Sequence, residues 1–140
     1  GSRMKDHTGR CLCGAVRYSF SADMIFTGKC YCDQCRKTSG SCHNAVFAVP
    51  ESAVKVTGTL TEYTTPGGSG QPLTRRFCPT CGSRVTETVA VLPGVTLLAA
   101  ASLDDPSQFT SQISIFAAEA PPWDVPPTDS PAYPGMPPQN

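Results

Sequence analysis

The chain has no hydrophobic run approaching the roughly 18 or more consecutive apolar residues that a membrane span requires. Its N-terminus also lacks the charged-then-apolar pattern of a secretory signal. Both absences predict a soluble, unsecreted, cytoplasmic protein with no membrane partner. Excess charge of either sign is missing too, since 11 basic and 11 acidic residues cancel. That leaves no electrostatic footprint for nucleic acid. No internal repeat is found, and no long helical period. Charged residues make up only 16% of the sequence, whereas glycine contributes 12 positions and proline 14. Such a composition suits a small, turn-rich β protein held by external staples. At 140 residues the chain is one domain by the usual size prior.

What the sequence does have is cysteine. Seven of its eight cysteines fall into three tight clusters: Cys11-Leu12-Cys13, Cys30-Tyr31-Cys32-Asp33-Gln34-Cys35 and Cys78-Pro79-Thr80-Cys81. Disulfide frameworks spread their cysteines, because closing longer loops removes more unfolded-state entropy, and Cys-x-Cys is awkward to bridge. Metal ligands want the reverse, since two sulfurs from one tight turn converge on a single ion. Two pairs, Cys11/Cys13 and Cys78/Cys81, make one closed tetrahedral zinc site. The triplet Cys30, Cys32 and Cys35 makes a second site with three thiolates, which leaves a coordination position for water or substrate. Two zinc ions per chain are therefore expected, the second the more labile.

The flanking residues agree. Gly14 and Gly82 follow Cys13 and Cys81, and Pro79 lies inside the second pair, all suited to turns that point amides at thiolates. A thioredoxin-like reading of Cys78 to Cys81 would need a helix to open there, but Arg84 to Val89 alternates like a strand.

The rest of the chain is predicted to be mainly β. Strands are expected over Ala15–Ser21, Ala45–Val49, Val54–Val56, Leu60–Thr64, Leu73–Phe77, Arg84–Leu92, Val95–Leu103 and Gln112–Ala117. Gly67 to Gly70 reads as one hairpin tip and Pro93-Gly94 as another. Two single helical turns are expected. One covers Cys35 to Ser39 and is capped by Gly40, and the other opens at Asp104-Asp105-Pro106. The predicted organisation is an N-terminal extension over residues 1–8, a zinc-binding domain over 9–120, and a proline-rich tail over 121–140. Eight of the tail's twenty residues are proline, and Trp123 and Tyr133 give it something to bury against the body. Gly1-Ser2-Arg3 ahead of Met4 resembles an expression scar.

Three motifs in order carry a resemblance: Cys-x-Cys-Gly-Ala-Val-Arg-Tyr at Cys11 to Tyr18, Cys-x-Cys-x-x-Cys-Arg-Lys-x-x-Gly at Cys30 to Gly40, and Phe-Cys-x-x-Cys-Gly-Ser at Phe77 to Ser83. With Ser102-Leu103-Asp104-Asp105-Pro106, they resemble the glutathione-dependent formaldehyde-activating enzyme family, also called the GFA or centromere protein V family. The resemblance implies a zinc-ribbon-like body of curled antiparallel sheets, similar to a Rab nucleotide-exchange-factor zinc fold. It implies a structural zinc on Cys11, Cys13, Cys78 and Cys81 and a catalytic zinc on Cys30, Cys32 and Cys35. The activity it implies is that of a carbon-sulfur lyase, joining formaldehyde to glutathione as S-hydroxymethylglutathione.

A small-molecule thiol such as glutathione is the expected partner, and Arg36 and Lys37 are the nearest candidates to anchor its carboxylates. Tyr31 stands where family members commonly carry His, and is placed with the substrate-binding candidates as a hydrogen-bond donor. Cys42 is either a fourth ligand to the triplet or a small buried hydrophobe, and His43 and His7 read as ordinary histidines. The alternative function is a non-enzymatic, zinc-stabilised binding module whose second site is structural or metal-free. The sequence leaves the oligomeric state open.

Overall fold

The computed structural model describes residues 6–138, so the scar-like residues Gly1 to Arg3 and Met4 lie outside it. Among the described residues ten strands form two sheets. The smaller has the order β1-β2-β5, from β1 (His7–Arg10), β2 (Arg17–Phe20) and β5 (Val54–Thr57), all antiparallel. The larger has seven strands: β3 (Phe26–Cys30), β4 (Asn44–Pro50), β6 (Thr61–Pro66), β7 (Pro72–Phe77), β8 (Arg84–Val89), β9 (Val95–Ala99) and β10 (Ile113–Ile115). Its order is β10-β3-β4-β9-β8-β7-β6, antiparallel except where β10 runs parallel to β3. The mainly β expectation is borne out.

The core forms because β2 alternates as its sequence dictates. Tyr18 and Phe20 point inward, with Val16 just before them, and Arg17 and Ser19 face water. These three pack with Phe47 and Val49 of β4, Val85 of β8 and Leu98 of β9, joined by Cys11 and Cys78. Strand β4 departs from simple alternation, because Val46, Phe47, Ala48 and Val49 are all buried. It lies inside the sheet with both faces covered, which removes the pressure for a polar phase.

The one α-helix among the described residues, α1 (Asp33–Ser39), lies against β4. It starts two residues earlier than the sequence suggests. Cys32 is its N-cap, and Gly40 closes it in the left-handed conformation at φ 71°, donating its N–H to the Arg36 carbonyl. The second expected turn is a 3₁₀ turn over Pro106–Gln108, and Asp105 accepts from the Ser107 amide at its start. His7 and Thr8, read from sequence as extension, form the first half of β1, which pairs with β2.

The proline-rich tail runs beside β10. Ser114 donates its amide to the Pro131 carbonyl and accepts from the Tyr133 amide, both at 2.9 Å. The amides of Phe116 and Ala117 bond the carbonyls of Gly135 and Tyr133. Among the described residues no helix is long and apolar enough to cross a membrane.

Candidate metal centres and active site

The four-cysteine cluster is built from two tight turns that bring the two sheets together. Cys11 follows β1, and its amide bonds the Val16 carbonyl while its sulfur accepts from the Val16 amide at 3.3 Å. Cys78 follows β7, with its sulfur 3.4 Å from the Thr80 amide. Each turn closes on a glycine in the left-handed region, Gly14 at φ 81° and Gly82 at φ 76°. The sulfurs of Cys11, Cys13, Cys78 and Cys81 all lie within 4.8 Å of one another. Cys13 stands 3.7 Å from both Cys11 and Cys78. A tetrahedron with zinc-sulfur bonds of about 2.3 Å has edges of about 3.8 Å, so these residues fit zinc. The Ser83 hydroxyl, 3.2 Å from Cys81, holds that thiol down at about 5.

The triplet is organised by a strand end and a helix start. Cys30 is the last residue of β3, Cys32 caps α1, and Cys35 sits in its first turn, with the three sulfurs within 4.8 Å of one another. The Cys32 sulfur accepts from the Cys35 amide at 3.4 Å. Cys30 and Cys35 are buried while Cys32 is half-exposed, so the group has one accessible side. Hydrogen bonds from the Cys30 and Cys35 thiols pull Cys32 down to about 2. Cys30 is pushed up, first by its contact with Cys32 and then by Cys35. Its contact with Cys30 pulls Cys35 down, but its contact with Cys32, burial, and the charges of Cys32 and Glu87 outweigh that and leave it at about 12. Three thiolates in this space repel one another, and a divalent cation removes the conflict. The donor set, three soft sulfurs and an accessible side, fits zinc with one position left for a further ligand.

No fourth Cys, His, Asp or Glu among the described residues joins the triplet. Cys42 is buried and stands apart, with its sulfur 3.1 Å from His43 Nδ1. It takes the buried-hydrophobe place rather than that of a fourth ligand. All eight cysteines are free of disulfides, as their spacing predicts.

The other sequence candidates have definite places. Tyr31 is 1% exposed, its ring 5.1 Å from that of His43, so its phenol faces protein. Burial first, and then the neighbouring Cys42, push that phenol up. Arg36 donates from Nε to the Tyr31 carbonyl and lies 3.6 Å from Asp33, while Lys37 reaches Asp33 at 2.9 Å. Both cations therefore lean along the helix onto one carboxylate. His7 stacks on Phe20 at 4.6 Å.

A network of polar residues next to α1 escapes the sequence reading. Gln34, between the ligands on α1, donates to the Pro66 carbonyl and accepts from Thr65 and from Nη1 of Arg75 at 3.0 Å. Glu87, opposite Arg75 across β7 and β8, accepts from Asn44 Nδ2 and pairs with Arg84, each at 3.2 Å. Arg75 is 4% exposed and Glu87 6%. A signal for both exists in the sequence. Arg75 occupies the phase of Leu73 and Phe77, and Glu87 that of Val85 and Val89, so each puts a charge where the strand pattern calls for an apolar side chain. A cleft of about 550 Å³ opens beyond them, lined among others by Arg10, Ser39, Asn44, Ser83, Arg84 and Asp104.

With two cysteine sites in this geometry, the model of the glutathione-dependent formaldehyde-activating enzyme family matches residues 6–119. The chain belongs to that family. A crystal structure of a Rhodobacter sphaeroides protein, a structural-genomics target, is similar with a TM-score of 0.57 and 21% identity. The match covers 89% of this chain and 98% of that one, and supports the fold. Membership and the sulfur geometry together give a zinc-binding, glutathione-related protein. Its two cysteine clusters, of four and of three sulfurs, could each hold a metal ion.

Proposed function

We propose that the chain is a zinc-dependent carbon-sulfur lyase acting on a thiol or thiol adduct at Cys30, Cys32 and Cys35. S-hydroxymethylglutathione formation from glutathione and formaldehyde is the reaction suggested by its family. The observation that carries the reading is the triplet itself: three convergent sulfurs, no fourth protein ligand among the described residues, and one half-exposed side. Cys30, Cys32 and Cys35 would hold zinc, which would supply a coordination position for a thiolate.

The chain's own residues do the rest. Cys30 and Cys35 are fixed by burial, and Cys32 is held by the helix start, so the open position keeps one direction. In the reaction the substrate sulfur bonds to the aldehyde carbon, the carbonyl π bond breaks, and the thiol proton ends on the new hydroxyl. No electrons are exchanged with an outside partner. Lys37, at 74% side-chain exposure, is the freer of the two cationic anchors for substrate carboxylates, because Arg36 is also tied to the Tyr31 carbonyl. Eight free thiols suit a reducing compartment such as the cytoplasm.

Zinc-loaded protein mixed with glutathione and formaldehyde tests the proposal, with adduct exchange followed by NMR. Because the adduct also forms uncatalysed, the expected result is acceleration that disappears in Cys32→Ser. Acceleration that survives that substitution would reject the site. Metal content checks it separately: two zinc ions per chain are expected, one removed readily by a chelator.

A further inference from the structure

A buried guanidinium requires a counter-charge, and Arg75 has no carboxylate within ion-pair distance among the described residues. Its cross-strand neighbour Glu87 is engaged by Arg84 and Asn44 instead. Arg75 spends Nη1 on neutral oxygens, Gln34 Oε1 at 3.0 Å and Thr65 Oγ1 at 3.4 Å, and its buried Nε has no partner. Gln34 lies on the first turn of α1 between Cys32 and Cys35, so one hydrogen bond links the guanidinium to the turn that carries the triplet.

We infer that Arg75 is a charge-compensating positioning residue for the triplet: the zinc tris-thiolate is its counter-ion, and its fixed charge selects an anionic fourth ligand, a substrate captured as thiolate. This rests on the open-site reading above and names the ionisation state that the site prefers. Zinc with three thiolates carries a net charge of minus one, and a captured thiolate makes it minus two. Inside a low-dielectric site that second charge is opposed unless a cation already stands beside it. Arg75 is in place before the thiol arrives, held by Gln34 and Thr65, so little reorganisation accompanies binding. A neutral ligand gains nothing comparable. The site thus discriminates thiolate from neutral nitrogen or oxygen donors by charge as well as by softness.

Cobalt-substituted protein provides a readout independent of turnover, because its visible bands report on the ligands around each ion. Glutathione, 2-mercaptoethanol and neutral imidazole would be titrated into wild type, Arg75→Gln and Arg75→Lys. In Arg75→Gln both thiols should bind about tenfold or more weakly, the effect of one nearby opposite charge on an ionising group. Imidazole should bind as in wild type, and Arg75→Lys should keep most of the thiol preference. Equal weakening of thiols and imidazole, or unchanged thiol binding, overturns the inference. If Arg75→Gln does not fold, Arg75→Met takes its place in the same titrations: selective weakening of the thiols supports the charge role, and its absence overturns it. Thiol capture in wild type that is undiminished in Arg75→Gln refutes this inference only. If no thiol binds wild-type cobalt protein, the open-site reading falls with it.

Discussion

Replacing one ligand in each cluster should separate a clip that holds the fold from a centre built for chemistry. Cys13 is exposed, so Cys13→Ser opens no cavity in the core, and its effect is that of losing the metal cross-link. The cross-link joins Cys13 to Cys78, 65 residues apart, and ties β1 and β2 of the small sheet to the end of β7 in the large one. Closing a loop of that length removes unfolded-state entropy worth about 4 kcal/mol. At about 0.3 kcal/mol of unfolding entropy per degree for a chain of this size, the melting temperature should fall by about 14 °C. Cys32→Ser removes a ligand from a site that spans only Cys30 to Cys35, a segment already closed by β3 and α1. Serine is a favoured N-cap, and its hydroxyl can accept from the residue 35 amide as the Cys32 sulfur does. Its melting temperature should stay within about 4 °C of wild type, a change of about 1 kcal/mol. Calorimetry and zinc content measured together on the two variants check this. If Cys13→Ser loses an ion and still melts within about 3 °C of wild type, the loop-closure argument is wrong.

Two further outcomes follow from the core. A methyl at Gly9 would overlap the Tyr18 phenol and crowd the Ser102 carbonyl. Gly9→Ala should therefore break the 2.8 Å Tyr18–Ser102 hydrogen bond and destabilise by about 1–3 kcal/mol in denaturant titrations. A loss below 0.5 kcal/mol, on the order of a surface change, would contradict the packing. Burial pushes Tyr18 up to about 12, so the folded state holds that proton more tightly than the unfolded chain does. Its contribution is fully present below pH ~10, the ordinary tyrosine value, and is lost as pH rises through 12, on the order of 2–3 kcal/mol in all. Tyr18→Phe should flatten that part of the stability curve in urea melts at increasing pH. Parallel curves for the two proteins would rule it out.

The sequence carries the fold where local chemistry decides it. Val16, Tyr18 and Phe20 alternate because one face of β2 is core, and Gly67 to Gly70 turns the β6–β7 hairpin because little else accepts that bend. Strand β1 was invisible, since His7-Thr8-Gly9-Arg10 has no apolar phase and is a strand only through pairing with β2. The parallel docking of β10 on β3, and of residue 132 on Ser114, is likewise non-local. Helix α1 was placed late because cysteine is not an expected cap, yet here the Cys32 sulfur does a serine's work. Both cysteine groups were legible from spacing, because a tight turn is what makes two sulfurs converge. The polar network next to α1 was not read, although its signal, a charge in the apolar phase of two adjacent strands, was present.

That network is the physical argument for treating the two thiolate clusters as different in kind. Behind Cys11 and Cys78 the chain puts Val16, Phe47, Val85 and Leu98, the close-packed apolar backing that a purely structural ion needs. The triplet has apolar neighbours too, Ile115 with Ile113 and Phe116, but the strands beside it also carry Arg75, Glu87 and Asn44, each at least nine-tenths buried. Burying such groups is costly, and apolar residues of similar volume would hold a helix on a sheet at least as well. A site meant only to anchor α1 would gain stability by losing them. Their presence next to an open sulfur triplet, with a guanidinium that has no carboxylate partner among the described residues, makes sense when the charge at the fourth position changes as ligand comes and goes. Buried charge is thus tolerated beside the cluster that has three sulfurs and no fourth ligand among the described residues.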